Sequence, residues 1–366
     1  MSPSLLETND YPIYFGEQGI RALNESLRSG DYSSVFVLVD ENTEQACLPI
    51  FLHFADAVEH ASTIRISSGE EHKDIDTCRS IWYELLTRGA DRHSLLINLG
   101  GGVITDMGGF AAATFKRGID FIHVPTTLLA LVDASVGGKV GIDFEGAKNQ
   151  VGVFAQPGAV LIFPKFLKSL SKQHYLAGFA EVIKHGLIAD ADYWRRCTET
   201  SLADTDDLQG LIYESIRIKY EFVKRDPFDR GNRHALNFGH TVGHALESHF
   251  LIDDERMPLL HGEAVAAGMV IESYLSYRMA GLPHDQLDEI SGFILDLFGS
   301  APLRADEGVA VLEWMRKDKK NVSDEIRFCL IPKIGEFKVG EACSDELIHE
   351  GLNYYLQRAE LQPKKH

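Results

Sequence analysis

The chain has 366 residues, 45% of them hydrophobic and 25% charged, which is enough to bury cores for two domains and excludes a fibrous or disordered protein. With 36 Lys and Arg against 54 Asp and Glu the formal net charge is −18, so the average surface repels nucleic acid phosphate and anionic lipid, and neither is expected as a partner. The start, MSPSLLETNDYPIYF, shows no basic segment followed by an apolar one, and no apolar run approaches the roughly 18 to 20 residues of a membrane span. Five scattered cysteines, Cys47, Cys78, Cys197, Cys329 and Cys343, without a CxxC spacing, complete the expectation of a reduced, cytoplasmic protein.

Along the first half, short apolar runs alternate with helical patterns. SSVFVLVDEN reads as strand then turn, SLLINLGGG as strand then glycine loop, and DFIHVPTTLLAL as strand then helix. Such alternation predicts a parallel sheet with crossover helices. After about residue 170 the pattern becomes long and amphipathic, in AGFAEVIKHGLI, LQGLIYESIRIKYEFVKR and GEAVAAGMVIESYLSYRMAG, and predicts helices. EIRFCLIPKIGEFKV at 325–339 reads as a hairpin.

Chemistry is concentrated in three places. Three glycines in NLGGGVITDMGGF stand where a strand hands over to a helix, a place where backbone N–H groups can face a pyrophosphate, although the spacing is not GxGxxG and a tight turn is the plain alternative. Asp40 ends another predicted strand, where it could bind an adenosine ribose or simply cap a helix; Thr126, Thr127, Asp133 and Lys139 follow a third. His240 and His244 lie four apart on a predicted helix, but HTVGH lacks the glutamate of HExxH, so a zinc-protease reading fails. With His261 and Glu181, two imidazoles and one carboxylate would leave a coordination position open for a substrate oxygen, the arrangement of a catalytic zinc. Finally, Arg117, Lys139, Lys148, Lys184, Lys219 and Arg233 sit in glycine-, asparagine- or histidine-rich strings, as an anionic small substrate of an acidic protein requires. Lys184 follows Glu181 by three and shares its helix face.

Together GGGVITDMGGFAAATFKRG, VPTTLLALVDASVGGKVGID, AKNQVGVFAQP, AGFAEVIKHGLI, NRHALNFGHTVGHALE, LLHGEAVAAGM and DKKN, in this order, resemble the 3-dehydroquinate synthases of the sugar phosphate cyclase family. The resemblance implies a Rossmann-like parallel-sheet NAD-binding domain over 1–167, a mainly helical metal- and substrate-binding domain over 168–366, an active site in the cleft between them, NAD, a divalent zinc or cobalt, and a homodimer. It implies metal ligation by Glu181, His240 and His261. It assigns NAD contacts to Asp40, Asn42, Glu70, Lys73, Gly101, Gly102, Val103, Asp106, Thr126, Thr127, Asp133, Lys139, Lys148 and Asn149, and substrate contacts to Lys139, Asn149, Lys184, Lys219, Arg233, Asn237, His244 and Lys319, with Lys320 as the alternative in DKKN. Arg117 matches an arginine that reaches the partner's site.

The implied reaction converts 3-deoxy-D-arabino-heptulosonate 7-phosphate to 3-dehydroquinate and phosphate, a step toward aromatic amino acids, through transient oxidation by NAD, phosphate elimination, re-reduction and an intramolecular aldol closure. In that scheme Lys139, Asn149, Asn237, His244, Lys319 and the partner's Arg117 surround the phosphate, while Lys219 and Arg233 take the carboxylate. Rival readings are a cyclase resembling 2-epi-5-epi-valiolone synthase or aminodehydroquinate synthase, against which Arg233, Asn237 and the full NFGHTVGH weigh, and a metal-dependent polyol dehydrogenase, which would release NADH and has no need of the cation set.

Overall fold

The computed structural model describes residues 4–30, 32–145, 147–200, 205–252, 256–317 and 325–361, without the side chains of 205–207. They form two compact units, Met1–Tyr175 and Leu176–His366.

The first unit is built on strands β1 (Leu5–Leu6), β2 (Ile13–Phe15), β3 (Val35–Asp40), β4 (Ser62–Ile66), β5 (Leu95–Gly100), β6 (Asp120–Pro125), β7 (Lys139–Phe144), β8 (Ala147–Phe154) and β9 (Ala159–Ile162). Seven of them form one sheet in the order β1-β2-β9-β6-β5-β3-β4, parallel throughout except for the β1–β2 pair. The run LLINLG of β5 is buried at every position, as a central parallel strand covered on both faces must be. Alternate residues feed two cores. Phe36, Leu38 and Leu96 pack with Ile81, Leu85, Met107 and Phe110 on one face, and Val37, Val39, Leu95 and Ile97 with Ile20, Leu23 and Phe51 on the other. The chain leaves β3 not through a turn, as its sequence suggests, but directly into the helix Glu41–Ala46, because Asp40 and Thr43 complete a reciprocal capping box. β7 and β8 form a separate antiparallel ribbon.

In the second unit three helices set the functional geometry: Lys172–Ala189, which begins just before the unit boundary, His240–Leu251 and His261–Leu275. The last is buried nearly all round, and it approaches its neighbours through glycines. A Cβ on Gly262 would lie 2.0 Å from the Ala177 carbonyl oxygen, and one on Gly268 2.0 Å from that of Gly239. Any larger residue would drive the helices apart. The predicted hairpin is present as β10 (Arg327–Leu330) and β11 (Lys338–Ala342), antiparallel with a register shift at Phe328/Cys329 and reaching a few residues beyond the expected end. Among the described residues no helix is long and apolar enough to cross a membrane.

Candidate active site

Strand β3 continues to β4 on one side while β5 lies on its other side, so the order reverses between β3 and β5. In open parallel sheets ligands bind outside the carboxyl ends of the strands at such a point. The residues expected to contact a nucleotide gather at that edge. Asp40 ends β3, its carboxylate accepting from the Thr43 N–H at 2.7 Å and the Thr43 hydroxyl at 3.0 Å, so the helix-capping alternative is realised, and Asn42 is exposed in the next turn. After β5 the helix Gly102–Thr114 starts at Gly101, with neither a side-chain cap there nor an acidic residue in the first turn. An anionic pyrophosphate suits a helix start of this kind. Farther along, a Cβ on Gly108 would meet Asn98 Oδ1 at 2.0 Å and Leu38 Cδ2 at 2.8 Å, so glycine there lets the helix lie against the sheet. After β6, the Thr126 N–H donates to the Gly100 carbonyl at 3.0 Å and Thr127 Oγ1 accepts from the Ala130 N–H at 3.2 Å, ahead of Asp133 in the turn Ala130–Ala134.

Five more of the expected residues form one charged network. Lys73 Nζ, 4% exposed, donates to Asp106 Oδ2 and to Asn149 Oδ1, each at 2.7 Å. Burial would lower the Lys73 pKa, but Asp106, Glu70 and Asp143 outweigh it and raise it above the ordinary lysine value. Lys148 Nζ lies 2.9 Å from Glu70 Oε1 and 3.4 Å from Asp143 Oδ2. Asn149, at φ 50°, also donates its N–H to Asp143 Oδ1 at 2.7 Å. Asp143 itself carries no sequence motif; only its place opposite a lysine–asparagine pair across a ribbon reveals it.

On the helices of the second unit, Glu181, His240 and His261 come together, each offering a ligand atom within 4.8 Å of the others. Glu181 is fully buried; its Oε2 accepts from Lys184 Nζ, while its Oε1 has no hydrogen-bond partner. That oxygen faces His240 Nε2 at 3.5 Å and His261 Nε2 at 3.7 Å. Ligands about 2.0 to 2.2 Å from a tetrahedral zinc stand about 3.3 to 3.6 Å apart, so these separations fit a shared cation better than direct hydrogen bonds. Burial and the Lys184 charge push the His240 pKa well below the ordinary imidazole value, leaving a neutral ligand. For His261 burial acts in the same direction, yet Glu247 and Glu181 overcome it and raise the pKa to about 10. These carboxylates call for positive charge at the ring, which a divalent cation supplies on displacing a proton.

His244 does not join this set at Glu181; its ring centre lies 5.2 Å from that of His240 and 5.8 Å from that of His261. Of the expected cations, Lys184, Lys219 and Arg233 are buried, at 1%, 5% and 3% exposure, where charged side chains rarely lie unless they are paired. Arg233 Nη1 donates to the Pro227 carbonyl at 2.9 Å from the short helix Asn232–Asn237, which also carries half-buried Asn237. Arg117 and Lys139 are exposed. Lys319 and Lys320 lie outside the described residues. Sequence reading missed Glu272, whose buried carboxylate accepts from the N–H groups of Gly239 at 2.7 Å and Val242 at 3.2 Å and so fixes the start of the His240 helix. A lone glutamate inside the apolar run AAGMVIES was the available signal.

Residues 63–177 match the 3-dehydroquinate synthase N-terminal family and residues 178–321 the C-terminal one. The chain belongs to the 3-dehydroquinate synthase family. A 3-dehydroquinate synthase of Parabacteroides distasonis is 41% identical over 338 residues, covering 91% of this chain and 94% of the relative. That of a Picosynechococcus strain is 38% identical, with 95% and 96% covered. Among solved structures, a 2-deoxy-scyllo-inosose synthase complexed with carbaglucose-6-phosphate, NAD+ and Co2+ superposes with a TM-score of 0.81 at 23% identity, covering 93% of this chain and 95% of that one. A 2-epi-5-epi-valiolone synthase from Streptomyces hygroscopicus with NAD+ and Zn2+ bound gives 0.80 at 22%, covering 98% and 100%. At such identities the structural likeness concerns the fold, a parallel-sheet α/β unit with a helical remainder, as 3-dehydroquinate synthase family membership leads one to expect.

Proposed function

We propose that this chain converts 3-deoxy-D-arabino-heptulosonate 7-phosphate to 3-dehydroquinate and inorganic phosphate, using NAD at the carboxyl edge of the sheet and zinc or cobalt at Glu181, His240 and His261. The observation that carries the reading is Glu181 Oε1, buried without a hydrogen-bond partner and facing two imidazole nitrogens, in a chain whose curated relatives are named for this reaction. The solved cyclases that hold NAD+ with Co2+ or Zn2+ support the same pair of cofactors. Curated sequence relatives of 35–41% identity favour this substrate over those of the cyclases at 22–23%.

When bound, the metal supplies a Lewis acid for the substrate hydroxyls and NAD a hydride acceptor that is restored within each turnover. The protein's part is placement. Lys184 holds Glu181 ionised by its ion pair and points its ammonium toward what that carboxylate helps to bind. Lys219 and Arg233, buried cations, take the substrate carboxylate; Lys139, Asn149, Asn237, His244, Lys319 and the partner's Arg117 hold the phosphate. Each charge-assisted contact is worth about 1.5 to 3 kcal/mol, so losing one slows turnover on the order of tenfold to a hundredfold. The reading extends, on the family resemblance, to a homodimer in which Arg117, exposed and in a left-handed backbone pair with Lys116, reaches the second site. Five buried, unbridged cysteines suit the reducing cytoplasm.

The test is phosphate release from 3-deoxy-D-arabino-heptulosonate 7-phosphate with catalytic NAD, with NADH absorbance followed in parallel, before and after chelation and zinc restoration. Stoichiometric phosphate without net NADH, lost to the chelator and recovered with zinc, is expected. Accumulation of NADH with a simple polyol and no phosphate release would replace the cyclase by a dehydrogenase.

A further inference from the structure

Two overlapping groups share His261: Glu181 with His240, and His244 with Glu247. They make opposite demands on one imidazole. In the first, Nε2 faces the cation and Nδ1 must be held by something else; in the second, Nδ1 and Glu247 would themselves be ligands.

The geometry decides between them. His261 Nδ1 lies 3.0 Å from Glu247 Oε2, a hydrogen-bond length, and its Nε2 faces Glu181. His240 is arranged in the same sense, with Nδ1 3.1 Å from the Phe238 carbonyl oxygen and Nε2 toward Glu181. An imidazole that gives its Nδ1 proton to an oxygen keeps its lone pair on Nε2. Both rings therefore aim their lone pairs at one point, one oriented by a backbone carbonyl and the other by a side chain. The alternative set would also leave Glu181 Oε1, buried and without a hydrogen-bond partner, with no cation to face. Glu247 is well placed for the orienting role: it is 9% exposed on the helix that carries His240, two turns farther along, and so spans from one ligand's helix to the other ligand's ring.

We infer that Glu247 is a positioning residue of the metal site, accepting the Nδ1 proton of His261 so that Nε2 joins His240 and Glu181, and that it is not itself a ligand. This rests on the reading of Glu181, His240 and His261 as the metal-binding set. Outer acceptors on ligating imidazoles are typically worth ten- to a hundredfold in metal affinity.

The experiment is competitive zinc titration of the purified full chain and of Glu247→Ala, Glu247→Gln, Glu181→Ala and His261→Ala, with visible absorption of the cobalt forms as a second readout. Glu247→Ala is expected to bind zinc ten- to a hundredfold more weakly with a shifted cobalt spectrum. Glu247→Gln, which keeps an acceptor oxygen, is expected to lose between about twofold and about tenfold, and phosphate release by it is expected to return at saturating zinc. Far-ultraviolet dichroism of the metal-free forms controls for folding, and the glutamine variant carries the test if the alanine variant is unfolded. Zinc affinity within twofold of the unsubstituted chain in Glu247→Gln and in folded Glu247→Ala would overturn the inference. So would a Glu247→Ala loss as complete as that of His261→Ala while Glu181→Ala still binds, since Glu247 would then be a ligand. If the unsubstituted chain binds neither zinc nor cobalt, the metal reading itself falls and takes this inference with it.

Discussion

Replacing Lys184 by methionine removes a charge from the most buried ion pair of the chain's functional region while keeping most of the side-chain volume. Lys184 is 1% exposed and Glu181 fully buried, so the carboxylate left behind has no water to turn to. Breaking a buried pair in this way costs about 3 to 5 kcal/mol, whereas neutralising both partners costs far less. Lys184→Met is therefore expected to lower unfolding stability by about 3 to 5 kcal/mol in chelator, and the double variant Glu181→Gln/Lys184→Met to recover at least half of that loss. Saturating zinc narrows the gap for the single variant, because a bound cation takes over part of the missing charge. Urea unfolding followed by tryptophan fluorescence measures this, with Trp194 as a local reporter: its backbone packs against Gly186 of the helix that bears Glu181 and Lys184. Hydrogen exchange of helix Lys172–Ala189 localises the loss. A gap below about 1 kcal/mol in chelator would refute the reasoning, because it would mean that Glu181 sheds its charge or reaches solvent at little cost.

Gly108→Ala sets a methyl carbon 2.0 Å from Asn98 Oδ1 and is expected to push the helix Gly102–Thr114 off the sheet, costing about 1 to 3 kcal/mol and weakening NAD binding at the start of that helix; thermal unfolding and NAD titration check both. Glu307 accepts from Arg256 at 2.7 Å and 3.2 Å and from the Arg304 N–H at 2.8 Å, and against the upward pull of burial these partners lower its pKa from 4.5 to about 2. A lowered carboxylate pKa adds stability that is full above the unfolded value and vanishes as pH falls through the folded one, here about 3 kcal/mol lost between about pH 4.5 and about pH 2. The stability gap between the protein and Glu307→Gln should shrink on acidification across that window, and a pH-independent gap would contradict it.

The parallel sheet was legible because β5 and its neighbours are buried on both faces, which forces continuous apolar runs into the sequence. The candidate metal ligands were legible as residue types, with Glu181 and His261 beside the histidine pair, but the meeting of Glu181, His240 and His261 was implied only by the family resemblance. Helical spacing relates His240 to His244, whereas the structure joins His240 to Glu181 and His261 on two other helices. Periodicity describes one element at a time and cannot report such a meeting. Glu247 and Glu272 escaped for the same reason: their partners are a ring nitrogen and backbone N–H groups supplied by tertiary packing. The ribbon β7–β8 was missed although VGID and QVGV alternate, because Gly141 and Gly152, paired across it, weaken the strand signal on both sides. Asp40 shows the converse, a residue whose two readings both fitted the sequence and whose capping role the hydrogen bonds establish.

The Lys73, Asp106 and Asn149 cluster ties together the turn after β4, the helix after β5 and the ribbon β7–β8, with Lys148, Glu70 and Asp143 as a second tie between the first and the last. Three segments far apart in sequence are thereby clamped as one piece before any nucleotide arrives. The ordering entropy of these side chains is then spent when the unit folds, not when it binds, so the edge behaves as a preformed mould. Its residues share partners: a neutral substitution at Glu70 takes from Lys148 its nearer carboxylate and leaves Asp143 at 3.4 Å, and one at Asp106 leaves Lys73 to Asn149 and to Glu70 at 3.8 Å. Substitutions within the cluster should combine non-additively, and a chain that drifted here would have to change several positions together to keep the three segments clamped.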